Sequence, residues 1–545
     1  MHTNKANISD RRTFIKKGVA WLSVPALASF IQSCNTRPGV NIKGGMIGGD
    51  YKTSHLLRTP GKIPGPTKYI DTNILIAGGG ISGLSAKRWL HANGHDSMMI
   101  ELSDAIGGNS VFGQNSISAY PWAAHYLPIP NPNNKELINF LHSANVITGF
   151  NSNNLPVYNE YHICHDPQER LYINGYWQEG IVPEFGISDE DRKQIRSFFS
   201  YVEMLRHSKG EDGKYHFAIP VDNSSDSTQY KELDKISFAE YLKQHGYTSS
   251  YLLWYLEYCC KDDYGSLPQH TSAWAGLHYF ASRRGIGANT TSSDVLTWPE
   301  GNGYLMKALT GQCGSDIHSA MMIHRVSITG DKVEAYCYNV HEKQSVCIRT
   351  NKLILSTPQY VNKHIMASLP DNRGNIYNEV TYAPWVIANI SLAKVPVGKG
   401  APLSWDNVIY GRHSVGYVFA NHQDLRSSGK GVITYYLPVT SANASTARLR
   451  VYEKDYSYWK KLIIEELEYA HPGIEQWVSQ IDVRIWGHGM IRPSVNYIWG
   501  DARTQAKQPI KDRIFFAHSD LSGISIFEEA FYQGIRAAKE VLNSI

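Results

Sequence analysis

The stretch from Asn73 to Leu90 changes its hydrophobic pattern in the middle. An apolar run, Ile74 to Ala77, leads into three consecutive glycines, Gly78 to Gly80. From Ile81 onward, apolar side chains recur at helical spacing. A second short apolar run then ends at Glu101. The pattern predicts a strand, a glycine turn, a helix and a second strand, which is a βαβ unit.

The glycine spacing in this unit matches G-x-G-x-x-G. The first glycine permits a tight turn, the second lets the backbone approach a pyrophosphate, and the third lets helix pack on strand. The helix N-terminus adds free N–H groups and a partial positive charge. Glu101 can accept hydrogen bonds from the hydroxyls of an adenosine ribose, and it would repel a 2′-phosphate, which argues against NADP. The alternative is a structural βαβ unit without ligand. The predicted dinucleotide contacts in this unit are Gly78, Gly80, Ile81, Ser82, Gly83 and Glu101.

Two further glycines, Gly107 and Gly108, follow Glu101. The "ELSDAIGGNS" segment resembles the E…GG pair of flavoproteins of the amine oxidase and phytoene desaturase superfamily, in which this second loop runs along the FAD pyrophosphate. Those proteins usually have arginine after the pair. Asn109 stands there in this chain, so one phosphate contact is weakened or supplied elsewhere.

The resemblance continues to the C-terminus. "LTWPEGNGYLMKALTG", "IHRVSITGDKVEAYCYN", "KLILSTP" and "DRIFFAHSDLSGISIFEEAFYQGIRAAKEVL" follow in the family's order. It implies that Val326 touches the adenine through its backbone and that Asp520 faces the ribityl and pyrophosphate region. It also implies that Glu529 and Ala530 lie on the helix whose N-terminus faces the flavin pyrimidine. No cysteine follows Cys347, so the C-terminal cysteinyl link of some members is unavailable. The cofactor expected is therefore non-covalent FAD.

The resemblance implies an α/β fold with two interleaved lobes. A Rossmann-type FAD-binding lobe is expected from discontinuous segments, and an α+β substrate-binding lobe from the segments between them. The expected FAD-binding segments are 71–160, 295–375 and 505–545, and the expected substrate-binding segments are 161–294 and 376–504.

The active-site candidates come from two segments with family counterparts. "RIWGHGMIRP" resembles a segment whose tryptophan commonly reaches the flavin, and "SAYPWAAHYLP" lies where the family covers the flavin ring. The catalytic candidates are therefore Trp486, His125 and His488, although each also fits a purely structural role. Many amine-oxidising relatives keep a lysine near flavin N5, where this chain has Trp385 or a neighbour.

We expect an FAD-dependent oxidoreductase that takes a hydride from an amine, or from another CH–XH or CH–CH group of a small molecule, onto flavin N5. The missing lysine favours an electron acceptor other than oxygen. Two alternatives stay open. One is a redox-neutral flavin enzyme, such as an isomerase, mutase or lyase. The other is a flavin-bound partner protein without turnover.

The N-terminus resembles an export signal. Arg11 and Arg12 precede an apolar stretch, Val19 to Ile31, that is too short to span a membrane. "FIQSC" resembles a lipoprotein cleavage box ending at Cys34. We therefore expect a twin-arginine signal over residues 1–34 that engages the translocase, and a protein in the bacterial periplasm or cell envelope. Lipid attachment at Cys34 is expected, with plain cleavage as the alternative. Residues 35–70 are rich in glycine and proline and are expected to form a tether that lies over the globular body.

Composition adds few constraints. The chain has 545 residues, 42% hydrophobic and 19% charged, with a net charge of +4, which is typical of a globular protein with more than one lobe. It has no basic run with interleaved aromatic residues, so nucleic acid is not an expected partner. The cysteines show no paired metal-binding spacing, and we expect no metal. Apart from Cys34, they are expected to be scattered buried thiols.

Overall fold

The computed structural model describes residues 41–48, 51–366, 373, 376–424, 429–441 and 443–545. The predicted signal, with Arg11, Arg12 and Cys34, lies outside the described residues. Within the described ranges, no helix has the length and apolar character needed to cross a membrane.

Strands and helices are mixed along the chain. The strands are Lys43–Met46, Pro66–Ala77, Met98–Ile100, Phe112–Gln114, Ala119–Pro121, Tyr126–Pro128, Ile147–Phe150, Pro156–Tyr158, Glu169–Ile173, Tyr176–Glu179, Val295–Thr297, Ile317–His318, Met321–Thr329, Lys332–Asn339, Gln344–Leu355, Tyr382–Leu392, Asp406–Ile409, Tyr417–Phe419, Gly431–Pro438, Val478–Ile491 and Ile514–Phe516. The α-helices are Tyr51–His55, Ile81–Ala92, Lys135–Ser143, Asp189–His207, Thr228–Lys231, Phe238–Gln244, Ser250–Tyr264, Ala273–Ala281, Gly303–Thr310, Gln359–Ile365, Ile376–Glu379, Ala444–Glu453, Tyr456–Ala470, Asp501–Lys507 and Phe527–Asn543.

The first sheet has a parallel half built around the predicted βαβ unit. Its central strand, Pro66–Ala77, lies between Met98–Ile100 and Gln344–Leu355, and all three run parallel. Ile514–Phe516 adds a parallel strand beyond Gln344–Leu355. Helices Ile81–Ala92 and Phe527–Asn543 pack against each other and against this half. Residues 74–77 are almost fully buried, because a parallel sheet is covered on both faces.

The first sheet ends in an antiparallel hairpin. Met321–Thr329 pairs with Lys332–Asn339, which pairs in turn with the N-terminal part of Gln344–Leu355. One long strand therefore joins the parallel half to the hairpin. Ile317–His318 pairs parallel with Met98–Ile100 at the other end of the sheet.

A second, eight-stranded sheet is built from other parts of the chain. Tyr382–Leu392 lies near its middle between Val478–Ile491 and Gly431–Pro438, antiparallel to both. All of its 11 residues are buried, because helices between residues 189 and 281 contribute to a core on one face and Tyr456–Ala470 to a core on the other. The architecture is mixed α/β with a Rossmann-like sheet, which confirms the expected fold class.

The segment predicted as a tether is part of the folded body. Lys43–Met46 pairs parallel with residues 480–483 at the edge of the second sheet. Residues 51–62 form a short helix and two 3₁₀ turns, and the central Rossmann strand already begins at Pro66. The tether predicted to lie over the globular body therefore has secondary structure of its own in these residues, and its last residues belong to the central Rossmann strand. Gly44 permits a close backbone contact at this edge, because a Cβ there would lie 1.8 Å from the carbonyl oxygen of Ile481.

The six cysteines in the described part of the chain are free and buried. They are Cys164, Cys259, Cys260, Cys313, Cys337 and Cys347.

Candidate active site

A large cavity lies between the two sheets and is lined by residues from both. Its volume is about 1050 Å³, at the upper end of the roughly 300–1000 Å³ that a drug-sized ligand usually occupies. Thirteen of the sixteen predicted site residues line it: Gly78, Gly80, Ile81, Ser82, Glu101, Gly107, Gly108, Asn109, His125, Trp486, His488, Asp520 and Ala530.

Two glycine loops meet at one end of this cavity. Gly80 forms a parallel β-bridge with Gly107, and the N–H of Gly107 donates to the carbonyl of Gly79 at 2.8 Å. Gly78 has a φ of +109°, and a Cβ there would lie 2.8 Å from the carbonyl oxygen of Ser356. Helix Ile81–Ala92 starts directly behind, with no side-chain cap on its free N–H groups. Bare backbone and a helix N-terminus therefore face the cavity, which is what an anionic phosphate requires.

Gly83 fills a packing role beneath this turn and does not line the cavity. A Cβ on Gly83 would lie 2.0 Å from the carbonyl oxygen of Gly78. The third glycine of the motif therefore supports the loop and does not itself face a ligand.

Two carboxylates mark the ends of the dinucleotide region. Glu101 accepts the N–H of Gly79 at 2.7 Å through Oε2 and the N–H of Ser103 at 2.8 Å through Oε1. These bonds fix the carboxylate at the cavity wall and leave each oxygen one further lone pair for a ligand hydroxyl.

Asp520 is 1% exposed, and only one of its oxygens is satisfied. Oδ2 accepts the hydroxyl of Tyr382 at 2.5 Å and the N–H of Gln359 at 2.9 Å. Oδ1 lies 3.0 Å from Nδ1 of His518, but that nitrogen accepts the backbone N–H of Asp520. A ligand hydroxyl can supply the donor that Oδ1 lacks.

Two predicted contacts lie away from the cavity. Val326 is fully buried in the core under the hairpin, and Ile323, three residues earlier on the same strand, lines the wall in its place. Glu529 accepts the N–H of Val221 at 2.7 Å, on the side of its helix that faces the helical layer. Neither residue lines the cavity, and the backbone contact predicted for Val326 and the place predicted for Glu529 on the helix that faces the flavin stay predictions.

The other end of the cavity is aromatic. The ring of His125 lies 4.6 Å from that of Tyr436, 5.2 Å from Tyr126 and 5.6 Å from Trp405. His125 donates from Nδ1 to the carbonyl of Ala123 at 3.1 Å, because a carbonyl can only accept. Burial lowers the pKa of His125 to about 4. The imidazole is therefore neutral at physiological pH, with its lone pair on Nε2.

Carboxylates outnumber cations at this aromatic end. Asp262, Asp263 and Glu528 line the cavity together with one guanidinium, that of Arg283. Asp263 pairs with Arg283 at 2.8 Å and accepts the hydroxyl of Tyr126 at 3.3 Å. Among the described residues, none forms an ion pair or hydrogen bond with the side chain of Asp262. Burial raises the pKa of Glu528 to about 7, and burial with the neighbouring Asp263 raises the pKa of Asp262. This end of the cavity has the negative charge and the π-faces that a cation prefers.

Trp486 and His488 lie on one face of strand Val478–Ile491, between the two ends of the cavity. Trp486 donates from Nε1 to the carbonyl of Trp122 at 2.7 Å and pairs across the sheet with Trp385, which also lines the cavity. His488 stacks on Tyr360 at 3.9 Å. Burial, with Arg448 and Arg58 nearby, lowers the pKa of His488 to about 3. His488 therefore stays neutral and lies nearer to Asp520 than to the aromatic end.

Sequence reasoning missed the acidic end. Its signal was present as "CCKDDYG", where two adjacent carboxylates close the aromatic helix Ser250–Tyr264. Charged residues inside such a pattern are rarely buried without a partner or a function.

The residues on the wall fit a dinucleotide. Bare glycine backbone and a helix N-terminus suit a pyrophosphate, and Glu101 suits ribose hydroxyls. Asp520 and Asn302 each have one buried oxygen, Oδ1, without a hydrogen-bond partner, and both residues line the cavity. These two oxygens can accept hydrogen bonds from hydroxyl or ring N–H groups of a ligand.

Comparisons with known proteins agree with this architecture. A family model described as an NAD(P)-binding Rossmann-like domain matches residues 76–143. The chain is similar in structure to a putrescine oxidase solved with putrescine bound, with 13% identity, a TM-score of 0.64, and coverage of 87% of this chain and 100% of the other. It is also similar to cyclohexylamine oxidase from Brevibacterium oxydans, with 13% identity, a TM-score of 0.62, and coverage of 87% and 99%.

A conjugated linoleic acid (CLA)-producing fatty acid isomerase from P. acnes has a similar structure as well, with 14% identity, a TM-score of 0.60, and coverage of 85% and 97%. No curated protein sequence matches. At these identities the similarity establishes the fold alone.

Proposed function

We propose that this chain, which has the fold of the putrescine and cyclohexylamine oxidases, is an FAD-dependent oxidoreductase that acts on a cationic amine. The observation that carries the amine assignment is the end of the cavity around His125. There Asp262, Asp263 and Glu528 face a single guanidinium. A protonated amine supplies the missing positive charge, whereas a carboxylate substrate would add to the excess negative charge.

The cofactor would be held by the residues that face the dinucleotide end. Gly78, Gly80, Gly107 and Gly108 would approach the pyrophosphate, and Glu101 and Asp520 would accept hydroxyl hydrogen bonds. Bound FAD supplies a two-electron acceptor for a hydride from the substrate carbon.

The chain's own side chains would orient the substrate. The rings of Tyr126 and Tyr436 line the cavity beside His125 and would hold an alkyl ammonium group by cation–π contact. Neutral His125 has its Nε2 lone pair available to accept a hydrogen bond from the substrate nitrogen. The surrounding aromatic wall would exclude bulk water from the substrate.

The electron acceptor is proposed to be other than oxygen. Among the described residues, no lysine lines the cavity, and Trp385 lies on the wall at the position where the resemblance places that residue. A neutral indole cannot provide the positive charge that a lysine would place there. A quinone or another organic acceptor is the proposed partner.

We also propose that the protein is exported by the twin-arginine route and anchored by lipid at Cys34. The support is the sequence pattern of Arg11, Arg12, the short apolar stretch and the cysteine box. An anchor at a membrane surface would suit electron delivery to a membrane quinone.

A dye-linked assay tests the substrate class. Purified protein would be given an artificial acceptor and matched panels of primary amines, the corresponding alcohols and the corresponding carboxylic acids. The proposal predicts turnover with amines alone. Conversion of an unsaturated substrate without any acceptor would support the redox-neutral alternative instead, and flavin binding without turnover on a broad panel would support a non-catalytic partner.

A further inference from the structure

The N-terminal part of the folded body reaches the wall of the cavity. We call residues 43–48 and 51–62 the strap. Its strand, Lys43–Met46, pairs parallel with residues 480–483, and the hydroxyl of Tyr456 donates to the carbonyls of Lys43 at 3.1 Å and Ile481 at 3.0 Å. The strap is therefore fixed to the second sheet at a point outside the cavity.

The helical part of the strap covers the cavity. Tyr51, Thr53, Ser54, His55, Leu57 and Arg58 line the same cavity as the two glycine loops. The ring of Tyr51 lies 4.8 Å from that of Tyr452, and Leu57 packs on the core under the Rossmann sheet. The strap thus bridges helix Ala444–Glu453 of one lobe and the sheet of the other.

Positive charge collects where the strap crosses the cavity. The guanidinium groups of Arg58, Arg448 and Arg484 line this wall, and no carboxylate of the described residues forms an ion pair with any of them. Burial lowers the pKa of His55, His364 and His488, and Arg58 lies close enough to each of them to lower it further. Three cations without a carboxylate partner on a cavity wall form a site for an anion.

The residue that follows the second glycine loop brings no cation to the phosphate cradle. Asn109 follows the second glycine loop and donates from Nδ2 to the carbonyl of Gly489 at 2.5 Å. Its side chain is therefore committed to the neighbouring strand and brings no charge to a phosphate. Gly489 is adjacent to His488, whose environment includes Arg58 and Arg448.

We propose that the strap closes the cofactor compartment and that Arg58 contacts the cofactor phosphates, supplying the charge that Asn109 does not. This inference rests on the proposed FAD cofactor. The ligand is the pyrophosphate of that dinucleotide. The strap, which follows the predicted anchor in the sequence, would lie directly over the cofactor. The cofactor could then not leave while strand Lys43–Met46 is paired with the second sheet.

The closure is tested away from the cavity, at the strand that fixes the strap. Gly44 has a φ of +117° and no space for a Cβ, whereas Gly45, the next residue, has no atom within 4 Å of an added Cβ. Gly44→Val should therefore detach the strap, and Gly45→Val is the matched control.

The measurement is the rate at which protein-bound flavin is released into a large excess of an apo-flavoprotein trap, followed by absorbance. Gly44→Val should release flavin at least about tenfold faster than wild type, and Gly45→Val at the wild-type rate. Thermal unfolding of the apo forms checks that Gly44→Val is folded. An unchanged release rate in a folded Gly44→Val protein overturns the closure.

The phosphate contact is tested by Arg58→Gln, with Lys62→Gln as the control. Lys62 is an exposed cation of the same strap that does not line the cavity. Loss of one charge-assisted hydrogen bond should weaken flavin binding by about tenfold or more in Arg58→Gln, with a smaller dependence on salt than in wild type. Equal flavin affinity in Arg58→Gln and wild type overturns the contact. Wild-type protein that binds no flavin would refute the proposed function. Wild-type protein that binds flavin, together with an Arg58→Gln protein of equal affinity, would refute only the contact made by the strap.

Discussion

Replacing Glu101 by glutamine tests the dinucleotide site at the residue that sequence and structure both bring to it. The carboxylate makes two hydrogen bonds to its own loop, from the N–H groups of Gly79 at 2.7 Å and Ser103 at 2.8 Å. A glutamine keeps the size of the side chain but turns one acceptor into a donor, which must then face one of these N–H groups or the ligand hydroxyl.

The expected loss is that of at least one hydrogen bond to a charged group, about 1.5–3 kcal/mol. At 1.36 kcal/mol per tenfold change, this corresponds to flavin binding weaker by about 10- to 150-fold. The loss of charge acts on the ribose hydroxyls, so riboflavin, which has no adenosine, should lose little affinity.

The assay is a fluorescence titration of apoprotein with FAD and, separately, with riboflavin. Thermal unfolding of the apoprotein measures how much of the effect belongs to the loop itself, because Gly79 and Ser103 also lose their acceptor. FAD affinity within about threefold of wild type in Glu101→Gln would refute the assignment of this carboxylate to the ribose. An equal loss for FAD and riboflavin would show that the loop, and not a ribose contact, is responsible.

Three further predictions concern substrate, acceptor and export. Asp262→Asn should lower kcat/KM for a cationic amine by at least about tenfold, since two charges 4 Å apart interact by about 4 kcal/mol at an effective dielectric of about 20. In the wild type kcat/KM should rise with pH between about 6 and 8, because the carboxyls of Glu528 and Asp262 attract a cation only when they are ionised. The pKa of both carboxyls is raised, to about 7 for Glu528. If Asp262→Asn weakened the binding of a neutral amide analogue as much as that of the cationic amine, the role of this charge would be contradicted. Substrate-reduced enzyme should be reoxidised slowly by air and faster by a quinone or phenazine dye in stopped-flow mixing. Reoxidation by oxygen at typical turnover rates of about 10 s⁻¹ would show that the absent lysine does not matter. Replacing Arg11 and Arg12 together by lysine should leave precursor in the cytoplasm, and mass spectrometry of the exported protein should find lipid on Cys34. An unmodified cysteine there would exclude the anchor.

The sequence predicted the parts of this fold that are local. The change from an apolar run to glycines and then to helical spacing around Gly78 needs no distant partner, because backbone sterics and the burial of both sheet faces decide it. The C-terminal helix carries the same kind of information. These elements bring Gly78, Glu101 and Asp520 to one wall, although 442 residues separate the first from the last.

The parts that were not predicted depend on long-range packing. Val326 and Ile323 lie on the same face of one strand, because a bulge lies between them, and only the packing around that strand decides which of them reaches the cavity. Glu529 points to the N–H of Val221, which no local pattern reveals. The strap strand at Gly44 has no hydrophobic signal, since an edge strand is held by backbone hydrogen bonds to residues more than 400 positions away.

The acidic end shows the same limit for function. Asp262 and Asp263 were visible as charges in an aromatic helix, but their meaning depends on Arg283 and Glu528 arriving from other elements. The excess of carboxylates over cations can only be read once all four side chains line one cavity.

An anaerobic spectrophotometric titration of the purified protein with an alkyl amine tests the central claim most directly. The account predicts that the protein is yellow, that acid or heat releases FAD, and that a cationic amine bleaches the flavin absorbance fully, with the colour returning on addition of a quinone. Asp262→Asn should need a higher amine concentration for the same bleaching. A protein that carries no flavin, or a flavin that is bleached by carboxylate or alcohol substrates and not by any amine, would contradict it.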